Sequence, residues 1–262
     1  MLERGEARCC RGSSVELQCF PYVWFDVNEE DVLVGKKSVD VDATAWAGEA
    51  ADKLRDEFGE RLDFVGLQGS RARGEAREGS DIDLAVLLES VSADDLARFR
   101  AIIGSMERSE LACGFVGATD VLTAWPRHEL FQFYHDTRPV YGELPEVEPF
   151  TREDAEQAAR IGASGVYHAA CHAYVFDGEA VDDILGSLFK GAFFTLQALE
   201  FARTGRYFAS KAELAERLEG DDACVLQIGR AWPDLHPSCD DERRGLVDLL
   251  LRWSKGVIAN GR

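Results

Sequence analysis

Apolar and polar positions along this chain change period several times, and each change marks an element. From Asp42 the run ATAWAGEAADKLRDEF sets Trp46, Ala50, Leu54 and Phe58 at near-helical spacing, with Gly59 as a stop, which predicts a helix. The next run, LDFVGLQ at 62–68, reads as a strand that ends at Gly69-Ser70, and a polar, glycine-punctuated connection leads on to Ser80. DIDLAVLL at 81–88 alternates: Ile82, Leu84 and Val86 share one face, Asp81 and Asp83 the other. That pattern predicts a strand with a buried side and an acidic side. Residues 92–110 open on Ser92 as a cap and read as a helix, 115–125 (FVGATDVLTAW) as a third strand, 127–135 as a short helix and 136–143 (DTRPVYGE) as a turn.

LPEVEPF at 144–150 carries two prolines and no helical pattern, so it reads as a linker. Beyond it the pattern is helical throughout. Helices are expected at 151–176, capped by Thr151 with Asp154; at 181–204, closed by Gly205; at 211–219, behind a Ser210/Glu213 capping box; and at 221–231 and 240–259. The expected organisation is a sheet-and-helix domain over 42–143, the linker over 144–150, and an all-α bundle over 151–262. Residues 1–41 show no sustained periodicity and are expected to be a poorly defined extension. The next methionine after Met1 is Met106, so a native start at Val39 or Val41 from an alternative codon is the corresponding expectation.

Composition narrows the class. The 262 residues, 46% of them hydrophobic, suffice for real cores. No apolar stretch is long enough to span a membrane and the first thirty residues lack a signal-peptide core, so a cytoplasmic location is expected. Acidic residues outnumber basic ones 48 to 29, a net charge of −19, which counts against a general binder of nucleic acid or anionic membrane. The cations are mostly arginine, with only 6 lysines. The seven cysteines are scattered, form no C-x-x-C pair and read as free thiols.

The informative stretch is GSRARGEAREGSDIDLAV, 69–86. A strand that runs into Gly69-Ser70 and a short helix offers close backbone approach, N–H groups and a hydroxyl to phosphate. Asp81 and Asp83, two apart on one strand face, repel each other unless a cation lies between them, and hard oxygen ligands select Mg²⁺. Asp120, flanked by apolar residues in the expected third strand, is available as a third carboxylate.

Together Gly69, Ser70, Arg73, Gly74, Ser80, Asp81, Ile82, Asp83 and Leu84 make the pattern G-S-x-x-R-G, five residues, S-D-I-D-L. This resembles the nucleotidyltransferase superfamily of the β-type DNA polymerases, in particular its small prokaryotic branch. The resemblance implies an α+β fold, a small mixed sheet with helices, followed by the helical bundle. It implies that Gly69 and Ser70 hold the terminal phosphates of ATP or another nucleoside triphosphate, that Asp81, Asp83 and Asp120 bind two Mg²⁺ ions, that Arg73 supports the loop or the triphosphate, and that Arg71 and Ser80 add contacts to the nucleotide. In-line attack by an acceptor hydroxyl on the α-phosphate would then expel pyrophosphate.

The stretch from Lys190 to Leu214 (KGAFFTLQALEFARTGRYFASKAEL) is similar, more loosely, to the helical domain of kanamycin nucleotidyltransferase-type enzymes and to HEPN helical domains. The arginine–histidine pair of HEPN ribonucleases is missing, so RNase activity is not expected. Aminoglycoside-modifying relatives carry a glutamate base on the first long helix. This chain has His168 and His172 there, one turn apart, as candidate bases or nucleotide contacts or as structural residues. The expected activity is transfer of a nucleoside monophosphate to a hydroxyl of a small acceptor, aminoglycoside-like acceptors included. The alternatives are an antitoxin-type enzyme that adenylylates a toxin-type protein partner, and a catalytically silent binding module; a homodimer is a further candidate assembly.

Overall fold

The computed structural model describes residues 41–77, 79–235 and 237–260. The expected extension at 1–41 lies outside them apart from Val41. Helix α1 (Ala43–Phe58) starts where the Asp42 carboxylate accepts the N–H groups of Thr44 and Ala45, both at 3.0 Å. It buries Trp46, Ala50, Leu54 and Phe58, as its spacing predicts. Strands β1 (Leu62–Gln68), β2 (Ile82–Leu88), β3 (Ala112–Ala118) and β4 (Arg138–Gly142) form one sheet in the order β3-β2-β1-β4. β2 runs antiparallel to β1 and parallel to β3, and β4 pairs antiparallel with β1, so the sheet is mixed.

Both faces of the sheet are covered. On one, Ile82, Leu84, Val86 and Leu88 pack with α1 and with Ile103 of helix α3 (Ala93–Gly104). On the other, Phe64, Ala85 and Leu87 pack with Leu122 of the short helix α4 (Thr119–Thr123) and with Leu130 and Phe133 of α5 (Arg127–Asp136). The acidic side expected for β2 is therefore confined to its first turns of pleat: from Leu84 onward both faces are buried. Between β1 and the loop to β2 lies a single helical turn, α2 (Gly69–Ala72).

Two expectations need correction. The strand read at 115–125 ends at Ala118, and Thr119–Thr123 is helical. Gly114 at φ 130 lets β3 press against β2, where a Cβ would meet the Leu84 carbonyl oxygen at 1.9 Å; past Ala118 the chain leaves the sheet and Leu122 turns into the core. The turn read at 136–143 contains β4 instead. Pro139 concealed it, yet a proline is tolerated on an edge strand.

The second half is helical: α6 (Arg152–Phe176), α7 (Val181–Thr204), α8 (Lys211–Ala215), α9 (Gly220–Ala231) and α10 (Asp240–Asn260). The stripe Ala155, Ala159, Ala163, Val166, Ala170 and Ala173 lets α6 lie close against α7 and α10. Residues 144–150 have no regular structure, but they are packed down: the Phe150 ring lies 5.6 Å from Phe131 and beneath the Arg127 guanidinium. Phe131 itself, on α5, is fully buried in the core of the bundle, 5.0 Å from Phe201. Among the described residues no helix is long and apolar enough to cross a membrane. Cys113, Cys171 and Cys239 are free thiols, as expected.

Candidate active site

At one rim of the sheet the end of β1, the start of β2, the start of β3 and the residue pair before β4 come together, because antiparallel neighbours of β1 begin where β1 ends. Gly69 is the centre of this rim. Its φ of 70 is left-handed, and a Cβ there would stand 2.1 Å from Oδ2 of Asp83, so the Asp83 carboxylate rests directly on the glycine. The Gly69 N–H donates to Oδ2 of Asp136 at 3.1 Å. Asp83 and Asp136 thus flank the same residue, and Asp81 precedes them, exposed, at the mouth.

These carboxylates act on one another. Burial, then the charges of Asp81 and Asp136, push the Asp83 carboxyl above the ordinary aspartate range, and Lys190 and Arg73 offset this only in part. Arg73 is held between Asp136 and Glu75, and its guanidinium lies over the rings of Phe193 (5.1 Å) and Phe194 (5.6 Å) on α7. The backbone N–H of Lys211, the first residue of α8, donates to Glu75, and its ammonium lies 5.6 Å from the Phe193 ring. Burial pulls the Lys211 pKa down, and the nearby cations Arg73, Lys190 and Arg77 pull it further against Glu75. Gln197, fully buried on α7, supports this arrangement by donating to the carbonyl of Phe208 at 2.7 Å in the loop before α8. The Asp83 carboxylate of the sheet is therefore within electrostatic reach of Lys190 of the bundle, and Lys211 lies beside Glu75 of the loop.

The structure brings Gly69, Ser70, Arg73, Asp81 and Asp83 together at this rim. Arg71 has a different position from the one expected of a triphosphate contact. It is 8% exposed and donates to the carbonyls of Ser80 (2.7 and 3.0 Å), Asp81 (3.1 Å) and Val41 (3.3 Å), so it ties the loop down just ahead of the aspartate pair. The Ser80 hydroxyl likewise accepts the Arg77 N–H at 2.9 Å and closes the loop on itself.

Asp120 is not brought to this rim. β2 and β3 run parallel from Asp83 beside Cys113 to Leu88 beside Ala118, and Asp120 follows on α4, exposed. Five strand residues, roughly 17 Å, separate the two rims. The β3 positions beside the aspartate pair are Ala112 and Cys113, neither of them an acid. His168 and His172 also stand apart: both are exposed on the side of α6 turned away from its buried alanine stripe, and the stripe is what faces α7.

Sequence reading missed Asp136, Lys190 and Lys211. Asp136 was hidden because the strand after it reads as a turn. The lysines did leave a signal: in a chain with only 6 lysines, two at one rim are conspicuous.

Among the described residues no three His, Cys, Asp or Glu side chains form a closed metal cage. An open pair of carboxylates is nonetheless the donor set Mg²⁺ takes when substrate phosphates supply the remaining oxygens, and the mutual repulsion at Asp83 fits a hard cation between them.

Comparison with known proteins bears on the fold and on part of the sequence. The chain is similar to the crystal structure of spectinomycin adenyltransferase from Enterococcus faecialis with ATP and spectinomycin, with a TM-score of 0.53 at 14% identity over 81% of this chain and 99% of that one. A toxin–antitoxin structure with AMP-PNP aligns over 50% of this chain and 96% of that chain at 17% identity, with a TM-score of 0.28, too low to equate the folds. No curated protein matches the sequence. Residues 49–115, from α1 to the middle of β3 and including the whole Gly69–Asp83 motif, match the family described as nucleotidyltransferase domain, so this chain carries a nucleotidyltransferase domain.

Proposed function

We propose that this protein transfers a nucleoside monophosphate, AMP from ATP in the first instance, to a hydroxyl group of a small acceptor. The observation that carries the reading is the grouping at one rim of Asp83, with Asp81 before it and Asp136 beside it, against left-handed Gly69, within electrostatic reach of Lys190 of the bundle. A triphosphate fits that grouping. Its β- and γ-phosphates take the lysines and the Gly69-Ser70 turn, and its α-phosphate lies toward the aspartates. Asp81 and Asp83 would hold Mg²⁺, with Asp136 rather than Asp120 as the further carboxylate beside Asp83. When bound, the metal supplies charge neutralisation at the phosphates and lowers the pKa of the acceptor hydroxyl.

The acceptor oxygen then forms a bond to the α-phosphorus, the bond from that phosphorus to the β-bridging oxygen breaks, and pyrophosphate leaves. The acceptor proton passes to a rim carboxylate or to water. Arg73 keeps Asp136 in place and, through Phe193 and Phe194, keeps sheet and bundle in register.

Incubation of the protein with each of the four α-labelled nucleoside triphosphates and Mg²⁺, across a panel of hydroxyl-bearing small molecules, aminoglycosides among them, and cell lysate, tests this. Label on a small molecule with release of pyrophosphate is the expected result. Label on a protein band would favour modification of a protein partner, and label nowhere, with nucleotide still bound, would mark a silent binding module.

A further inference from the structure

The histidine pair on α6 takes no part in the rim, and its geometry has a use of its own. His168 and His172 stand one turn apart on the exposed face, with ring centroids 6.4 Å apart. Nδ1 of His172 is paired with the Asp177 carboxylate at 3.0 Å. Because a carboxylate accepts, this contact favours the neutral tautomer with the proton on Nδ1 and the lone pair on Nε2. A carboxylate that orients a histidine from behind in this way is the recurrent outer-shell partner of a metal-binding imidazole.

We propose that His168 and His172 chelate a borderline divalent transition ion such as Zn²⁺, Ni²⁺ or Cu²⁺, with Asp177 as the positioning residue behind His172. Two imidazoles about 2.1 Å from one ion have ring centres roughly 5 Å apart, so the present pair closes onto a metal by modest side-chain rotation. Both rings are solvent-exposed, and nothing buried has to move. Imidazole nitrogen selects these ions over Mg²⁺, which prefers oxygen, so the pair and the rim aspartates sort two kinds of cation to two places. The Cys171 thiol lies within the same turn, half-buried, and is not needed for the chelate. Two ligands leave the remaining coordination positions to water.

The test uses the full chain with its thiols alkylated and Mg²⁺ in excess, titrated with Ni²⁺ by calorimetry. One ion should bind per chain. His168→Gln and His172→Gln should each weaken it at least tenfold, and Asp177→Asn by about ten- to a hundredfold. In spectra of the wild type, paramagnetic Ni²⁺ should broaden the ring signals of His168 and His172 before those of the remaining histidines. Circular dichroism of each variant checks that the fold is kept. Unchanged affinity and stoichiometry in the doubly substituted chain, or no Ni²⁺ bound by the wild type, overturns the proposal, and neither result bears on nucleotidyl transfer.

Discussion

At one rim of the sheet the Asp83 and Asp136 carboxylates flank Gly69, and Asp83 meets the like charges of Asp81 and Asp136 with no ion pair of its own among the described residues; at the other, each buried or capping acid has a partner of its own. Asp63 accepts the Thr119 hydroxyl, and Asp95 accepts two bonds from Arg61, at 2.9 and 3.0 Å, and closes the Ser92 capping box of α3. Their chemistry diverges accordingly. Hydrogen bonds from Arg61 and Ser92 hold the Asp95 carboxyl far below the usual range, whereas burial and like charges push the Asp83 carboxyl up. An acid with a private partner stabilises the fold, and an acid held among like charges without one, as Asp83 is, leaves room for a cation.

The largest effect that would separate the two rims comes from removing charge. Asp81→Asn or Asp83→Asn should lower turnover by at least about a hundredfold, as loss of a group that stabilises transition-state charge does, and Asp83→Asn should raise the melting temperature in metal-free buffer by relieving repulsion. Asp120→Asn should leave turnover within about twofold. Full activity in the first pair, or loss in the last, would reverse the assignment of the rims. Next in size, Gly69→Val puts a branched side chain at a left-handed position against the Asp83 carboxylate. Nucleotide affinity should fall on the order of a hundredfold, as read by calorimetry.

Lys211→Ala removes a charged contact from the bundle side, and the nucleotide Kd should rise about tenfold with the acceptor KM unchanged. If the acceptor KM rises instead, the lysine faces the acceptor. The smallest effect belongs to the far rim. Ser92→Ala should cost about 1 kcal/mol of stability and nothing in turnover, measured by urea unfolding beside the activity assay. The far rim also carries a pH signature. Because the folded Asp95 pKa is depressed, its contribution is complete above the ordinary aspartate pKa, near 4, and is lost as pH falls below it. Asp95→Asn should flatten acid unfolding in that window.

The difference between the rims also shows what a sequence discloses. Gly69, Ser70, Asp81 and Asp83 were legible because their spacing is local: one turn and one strand start are enough to bring them together. The helices at 43–58, 152–176 and 181–204 were legible for the same reason, since caps and stops stand beside the periodic runs they bound. Asp136 was not legible, because its place depends on an edge strand whose pairing partner is some seventy residues earlier in the chain. Lys190 and Lys211 depend on how the bundle docks, which no local pattern encodes. Asp120 was misplaced by the opposite error: an apolar run with a single acid reads as strand, and only the packing of Leu122 against Leu87 shows that the chain has already turned into a helix.

Phe131 belongs by sequence to the sheet-bearing half and by packing to the bundle. Unfolding either half would strip its ring of neighbours, so the two should lose structure in one cooperative transition, and excision at residues 144–150 should leave a soluble half only if that ring is replaced by a polar one. Asp83 on the sheet and Lys190 on the bundle are held in relation by the same shared packing, so substitutions at the Phe131 contact would be expected to alter that relation from a distance.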